Sequence, residues 1–299
     1  MTADMTPPIH PPCVLLAGGP SAERDVSLRT GDAVEAALTR LDVSVRRFDP
    51  ADGSLDGCDF AGGEIAFLAL HGTYGEDGTV QRELADRGVA FTGDGEAASQ
   101  LAFDKWATRA VVAAAGVRVA EGSLATDAAD WDRFPCVVKP RRQGSSVGLH
   151  LCATRSELLA AVVGDPAETL IEALVPDEEF TVGLVNGRLL PPVRVRPPGE
   201  LFDANAKYAD PRSEFTPLTD AADRRFGALH EAAAAAFAAV GVVKLGRADF
   251  IVPSDGPPVF LEVNTLPGMT ERSLLPIAWE AAGGTFDSLV ATILAGATP

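Results

Sequence analysis

The chain has 299 residues, 46% of them apolar and 22% charged, the make-up of a globular protein large enough for two or three compact units. Acidic residues outnumber basic ones, 42 to 25, for a net charge of −17, and no basic run exceeds a pair. A protein that grips a nucleic-acid backbone needs a basic face, so nucleic acid is excluded as a partner, whereas a nucleotide held by a few cations and a metal is compatible with this charge.

The longest apolar run, Ala232 to Val243, is mostly alanine and too short to span a bilayer, so no membrane partner is expected. Met1 to Pro12 is proline-rich and lacks the basic start and apolar core of a signal peptide. Cys13, Cys58, Cys136 and Cys152 show neither metal-ligand nor C-x-x-C spacing and read as buried free thiols in a reducing compartment. The expected location is the cytoplasm.

In chain order, an apolar strand over Cys13–Ala17 leads into a glycine turn at Gly18-Gly19 and a helix from Val26 to Leu41. Strands over Val43–Phe48 and Ile65–Leu70 follow, and strands alternating with helices imply a parallel sheet wrapped by helices. This unit is expected to end near Gly93-Asp94-Gly95. Next come a helix over Lys105–Ala115, a strand ending at Val137-Val138-Lys139, a glycine-serine loop over Gln143–Gly148, a helix over Arg155–Val163 and a strand over Thr169–Glu172. The last third holds a polar loop over Asn205–Ser213, an alanine-rich helix over Arg224–Val240 and strands over Ala248–Val252 and Val259–Asn264. A final helical stretch is expected from Thr270, whose hydroxyl suits a cap.

Several of these segments carry chemistry. The strand period of two puts Glu262 and Asn264 on one face, with Leu261 and Val263 on the other, and pairs Arg247 with Asp249 in the preceding strand. Two carboxylates, an amide oxygen and a guanidinium on one surface suit Mg²⁺ and its phosphate ligands; the same pattern also suits edge strands with solvated polar faces. The Thr270–Leu274 helix start, with Ser273, is either a plain cap or an anion site for a substrate carboxylate. The Lys139–Gly148 loop can lay backbone N–H groups over phosphates, yet it is neither a P-loop nor G-x-G-x-x-G, and a surface turn fits it as well. Only four of the 25 basic residues are lysines, Lys105, Lys139, Lys207 and Lys244, which suits places where a compact ammonium meets phosphate as well as chance placement. Glu23 follows the first glycine turn, where a carboxylate also serves as a plain helix-dipole partner, and His71 opens a polar loop that closes an apolar strand, where open α/β sheets bind ligands and where a satisfied structural histidine fits equally well.

In this order the segments AGGPSAERDVSL (17–28), LHGTYGEDGTVQ (70–81), FDK (103–105), VVKPRRQGSSVG (137–148), EEFTVG (178–183), AKY (206–208), GRADF (246–250) and LEVNTLPGMTERSLLP (261–276) resemble the D-alanine–D-alanine ligase family of the ATP-grasp superfamily. The resemblance runs from about Val14 to Leu294. It implies an α/β fold, α+β in its ATP-grasp part, with a Rossmann-like N-terminal domain (1–96) and a two-lobed ATP-grasp fold (97–183 and 184–299). It implies ATP as co-substrate, two Mg²⁺ ions for which Mn²⁺ can substitute, D-alanine as substrate, and a homodimer.

By the same resemblance, Lys105, Lys139 and Ser146 meet the nucleotide, Glu172 lies beside the adenine, Glu179 on the ribose hydroxyls and Lys207 on the γ-phosphate. Asp249, Glu262 and Asn264 would hold the metal ions. Glu23 would orient the first D-alanine's ammonium, linked to Ser145 and Tyr208, with His71 near that substrate. Arg247 and the Gly268 N–H would form an oxyanion site, and Ser273 and Leu274 would hold the second D-alanine's carboxylate. Tyr208 goes with dipeptide rather than D-lactate ester formation in the family.

The sequence departs from the family pattern at Phe103, where methionine is usual, at Phe202, where many members have tyrosine, and at Ala173, where a long polar residue is common beside the adenine. Two other readings stand beside this one. One is an ATP-grasp ligase with another acceptor such as D-lactate. The other is a non-catalytic nucleotide-binding relative, against which the intact Asp249, Glu262, Asn264, Lys139 and Arg247 speak.

Overall fold

The structure is a computed structural model that describes residues 11–144, 147–196, 213–270 and 272–298. Ser145, Ser146, Phe202, Lys207 and Tyr208 lie outside the described residues.

The N-terminal third is a parallel sheet in the order β2-β1-β3-β4, formed by β1 (Cys13–Leu16), β2 (Val45–Phe48), β3 (Ile65–Leu68) and β4 (Ala90–Phe91). All four β1 residues are buried, as an unbroken apolar run predicts for a strand covered on both faces. Helix α1 (Arg24–Arg40) buries Ser27, Thr30, Gly31, Val34, Ala37 and Leu38, one stripe at helical spacing. Gly31 lets it settle on the sheet, since a side chain there would meet the Ala17 Cβ at 2.6 Å. Helix α2 (Thr79–Asp86) leads into β4.

A seven-stranded sheet carries most of the rest. Its order is β13-β12-β10-β14-β15-β5, with β11 also paired to β10. The strands are β5 (Arg118–Val119), β10 (Glu178–Val185), β11 (Arg188–Leu189), β12 (Val193–Arg196), β13 (Glu214–Pro217), β14 (Leu245–Val252) and β15 (Val259–Asn264). Helices α3 (Glu96–Phe103), α4 (Lys105–Ala114) and α6 (Arg224–Val240) cover one face. Their core joins Val112, Phe237 and Val240 to Phe180, Phe250 and Phe260. Asp223 caps α6 by accepting from the Arg225 N–H, and Gly241 ends it in the left-handed conformation. Phe250 is fully buried, with its ring edge-on to Phe260 at 5.8 Å. Phe250→Ala is expected to cost about 3–5 kcal/mol, read as a fall in the urea midpoint.

A third, small antiparallel sheet has the order β6-β9-β7-β8. It comprises β6 (Gly122–Leu124), β7 (Cys136–Pro140), β8 (His150–Cys152) and β9 (Thr169–Ala173), with α5 (Arg155–Ala161) packed behind. It has a small core of its own around Trp131, Val138, Leu158 and Ile171. The four cysteines are free and buried, as expected, although Cys136 and Cys152 meet as register partners across β7 and β8. Burial pushes the Cys136 thiol up to about 11.

Helices α7 (Leu274–Ala281) and α8 (Phe286–Ala295) share one core with the N-terminal sheet. Arg40 of α1 pairs with Asp287 of α8, and the Asp94 carboxylate accepts from the backbone N–H groups of Val243, Lys244 and Leu245. The division drawn at 183/184 from the sequence falls inside β10, and α3 and α4 share the core of the seven-stranded sheet. Among the described residues no helix is long and apolar enough to cross a membrane.

Candidate active site

A cleft opens between the small sheet and the seven-stranded sheet. From the small sheet, Lys139 on β7 places its Nζ 2.5 Å from Glu172 Oε2 on β9. Arg109 of α4 lies 3.6 Å from the other Glu172 oxygen, so the buried carboxylate sits between two cations. Sequence reading missed Arg109, a mid-helix arginine without a motif. Lys105 is the first residue of α4. The Asp104 side chain caps that helix by accepting from the Ala107 N–H and is itself gripped by Arg141 and Arg142. This fixes Lys105 at the cleft, where its Nζ donates to Gln143 O at 2.6 Å and lies 3.2 Å from Glu262 Oε2. One ammonium thus touches the glycine-serine loop and the opposite sheet together. Val137, Ala173, Leu174, Ile251 and Leu261 give the cleft its apolar walls, and Glu179 lines it too.

On the seven-stranded sheet the register stacks polar residues in rungs. Thr181 on β10 pairs with Asp249 on β14, which pairs with Glu262 on β15; Gly183 pairs with Arg247, which pairs with Asn264. Partners directly opposite in an antiparallel pair share a face, so Arg247, Asp249, Glu262 and Asn264 lie together, as expected. The register shifts beyond Asp249, where Phe250 pairs with Phe260 and leaves Leu261 as the extra residue. This bulge corrects the expectation that Leu261 faces away from Glu262, because both line the cleft; an extra residue breaks the strand's alternation. Arg247 donates to both Asp249 oxygens at 2.9 Å, and the pair is buried.

Two carboxylates and an amide oxygen make a hard-oxygen donor set that fits a magnesium ion completing its shell with phosphate oxygens and water. Among the described residues no group of three or more His, Cys, Asp or Glu converges as a metal cluster.

Beside the cleft, the N-terminal unit meets the turn after β15. Ser21 donates to His71 O and accepts from the Glu23 N–H, which sets Glu23 at the start of α1. A Cβ on Gly72 would lie 2.7 Å from Glu23 Oε2 and one on Gly144 2.6 Å, so Glu23 is wedged between the 71–78 loop and the glycine-serine loop. Glu76 is buried nearby, and burial, followed by the Glu23 charge, raises its pKa to about 8. His71 is buried with both ring nitrogens bonded, Nδ1 to Leu266 O at 3.0 Å and Nε2 to Thr30 Oγ1 at 3.1 Å.

Burial, with a smaller contribution from Arg247, pushes the His71 pKa from 6.5 down to about 4. Between those values the unfolded chain binds the proton that the folded chain refuses. His71 therefore contributes stability that is present above about pH 6.5 and lost as pH falls towards 4. His71→Gln is expected to lose less melting temperature than the wild type between about pH 7 and 4.5, measured by thermal unfolding.

Helix α7 begins at Leu274, with Ser273 as its cap residue, rather than at Thr270. The expected cap is reversed: the Thr270 N–H donates to Ser273 Oγ at 3.0 Å, and the Ser273 N–H to Thr270 O. A turn closed on itself replaces the first helical turn. A Cβ on Gly268 would lie 2.9 Å from Ser273 Oγ, so Gly268, Ser273 and the N-terminus of α7 are close neighbours.

The described site residues thus fall into two neighbouring groups: Lys105, Lys139, Glu172 and Glu179 with Asp249 and Glu262 in the cleft, continued along β14 and β15 by Arg247 and Asn264, and beside it Glu23 against Gly144, His71 against the turn after β15, and Gly268 against Ser273. A small sheet and a large sheet closing on one cleft, with lysines on one side and carboxylates on the other, define an enzyme of the ATP-grasp class. Residues 106–295 match the family model described as D-ala D-ala ligase C-terminus. The chain is 40% identical to the D-alanine–D-alanine ligase of Syntrophotalea carbinolica over 95% of both chains, and 41% identical to that of Halorhodospira halophila over 94% of both. It is also similar to the crystal structure of the Bacillus anthracis D-alanine–D-alanine ligase complexed with ATP, with a TM-score of 0.81 and 30% identity over 95% of each chain. The chain belongs to the D-alanine–D-alanine ligase family.

Proposed function

We propose that this protein joins two D-alanines to D-alanyl-D-alanine at the expense of ATP, as a cytoplasmic, homodimeric enzyme of cell-wall precursor synthesis built from three units. The observation that carries this reading is the pairing of Asp249 with Glu262 in a lysine-lined cleft, with Arg247 and Asn264 paired on the next rung of the same two strands. The apolar walls suit an adenine, with Glu172 beside it and Glu179 at the ribose. Lys105 and Lys139 meet the phosphates with Ser146, and Lys207 the γ-phosphate. Asp249, Glu262 and Asn264 hold magnesium, which when bound neutralises phosphate charge.

A carboxylate is a poor electrophile because its leaving group would be oxide. The first D-alanine's carboxylate oxygen attacks the γ-phosphorus, ADP leaves, and an acyl phosphate forms. The second D-alanine's amine then attacks the acyl carbon and phosphate departs. Glu23, within a chain linked to Ser145 and Tyr208, orients the first ammonium, with His71 close by. Ser273 and the Leu274 N–H hold the second carboxylate at the α7 N-terminus. Arg247 and the Gly268 N–H receive the negative charge that grows on the tetrahedral oxygen. The cleft keeps water from the acyl phosphate.

The test is a panel of acceptors. With Mg-ATP and D-alanine, D-alanine as acceptor gives the dipeptide by mass in preference to D-lactate or D-serine. A dominant ester product would replace this acceptor assignment.

A further inference from the structure

The turn after β15 must aim the Gly268 N–H, and its backbone hydrogen bonds end on the N-terminal unit. Leu266 O accepts from His71 Nδ1, the Leu266 N–H donates to Glu76 Oε1 at 3.4 Å, and the Met269 N–H donates to Thr30 Oγ1 at 3.5 Å. Leu266 and Met269 flank Pro267 and Gly268, so both ends of the Gly268 segment are pinned from outside its own unit. The Leu266 and Met269 side chains are buried as well.

The bonds also fix one another's direction. A carbonyl only accepts, so Nδ1 carries the proton and Nε2 of the neutral ring accepts from the Thr30 hydroxyl. The Thr30 oxygen is then the acceptor for Met269. The circuit runs from Met269 N–H through Thr30 to His71 and back to Leu266 O, beginning and ending on the same turn. Glu76 adds a second tie. Its Oε2 accepts from the Gly72 N–H at 2.8 Å while Oε1 takes Leu266, and Gln81 clamps the loop by donating to Gly75 O at 2.7 Å.

Resting on the ligase reading above, we propose that Thr30, His71 and Glu76 are positioning residues: a buried bracket that holds the Leu266–Met269 turn so that the Gly268 N–H points at the developing oxyanion. Thr30 acts through the turn, from the buried face of α1. A donor displaced by about 1 Å costs on the order of 100-fold in rate, because oxyanion stabilisation depends on a fixed short distance.

The test uses Thr30→Val, which keeps the shape and removes the hydroxyl, Thr30→Ser, which keeps the hydroxyl, and Glu76→Gln. Thr30→Val lowers kcat on the order of 10–100-fold while ATP affinity stays within about twofold, because the nucleotide cleft is lined by other elements. Thr30→Ser recovers most of the rate. Amide exchange of the 265–270 segment speeds up in Thr30→Val and not in Thr30→Ser. Should Thr30→Val fail to fold, Glu76→Gln reads the same turn from its other anchor, with the same fall in kcat and the same faster exchange. A normal kcat in the folded variants, or unchanged exchange in the segment, overturns the bracket. A wild-type enzyme that makes no dipeptide overturns the ligase reading instead, and the exchange data still report on the bracket.

Discussion

Replacing Glu262 with glutamine lowers turnover on the order of 10³-fold or more while the fold survives. Glu262 faces Asp249 across the β14–β15 pair and lies 3.2 Å from the Lys105 ammonium, at the meeting point of the two sheets. The substitution keeps the side chain's size and removes the charge. A metal that polarises a phosphoryl oxygen supplies several kcal/mol of transition-state stabilisation, and each 1.36 kcal/mol is a factor of ten in rate. The side chain is a quarter exposed, so its loss leaves the cores intact. Steady-state ADP release alongside thermal unfolding separates the two effects, and a near-normal rate from folded protein would remove Glu262 from the proposed metal set.

Arg247→Lys is the second large effect, expected at about 10²–10³-fold in kcat. The arginine's planar fork reaches both Asp249 oxygens at 2.9 Å. Lysine keeps the charge and cannot span a carboxylate in that way. Arg247→Leu should behave differently, because removing one partner leaves the buried Asp249 charge uncompensated, at a cost of about 3–5 kcal/mol of stability. A lysine variant with normal turnover and a leucine variant with normal melting would together show that the pair matters to neither.

Much of this was legible in the sequence. The β1 run, the α6 limits at Arg224 and Val240, and β15 from Val259 to Asn264 emerge where expected, because apolar spacing and capping residues are local signals. The grouping of Arg247, Asp249, Glu262 and Asn264 follows from the strand period alone. Pairing is not local, so β10 is visible in the sequence only as the EEFTVG motif, and β11 to β13 carry no expectation at all. β10 is buried almost throughout and shows no alternation. The bulge that turns Leu261 into the cleft belongs to the β14–β15 register, which no single strand reveals. Arg109 and Thr30 look like ordinary helix residues. Thr30 carries a faint signal, since a hydroxyl in step with Val34, Ala37 and Leu38 sits on the buried stripe and must find a partner there. The Thr270 turn was misread because Ser273 lies within reach of the Thr270 N–H and takes over the cap position.

The most direct test of the central claim follows one oxygen atom. D-Alanine labelled with ¹⁸O in its carboxylate is supplied with Mg-ATP, and ADP, dipeptide and phosphate are measured together. Attack of that carboxylate on the γ-phosphorus predicts one ADP and one phosphate per dipeptide, with one labelled oxygen carried into the phosphate. Unlabelled phosphate, or ADP release that does not depend on D-alanine, would contradict the acyl phosphate and with it the ligase.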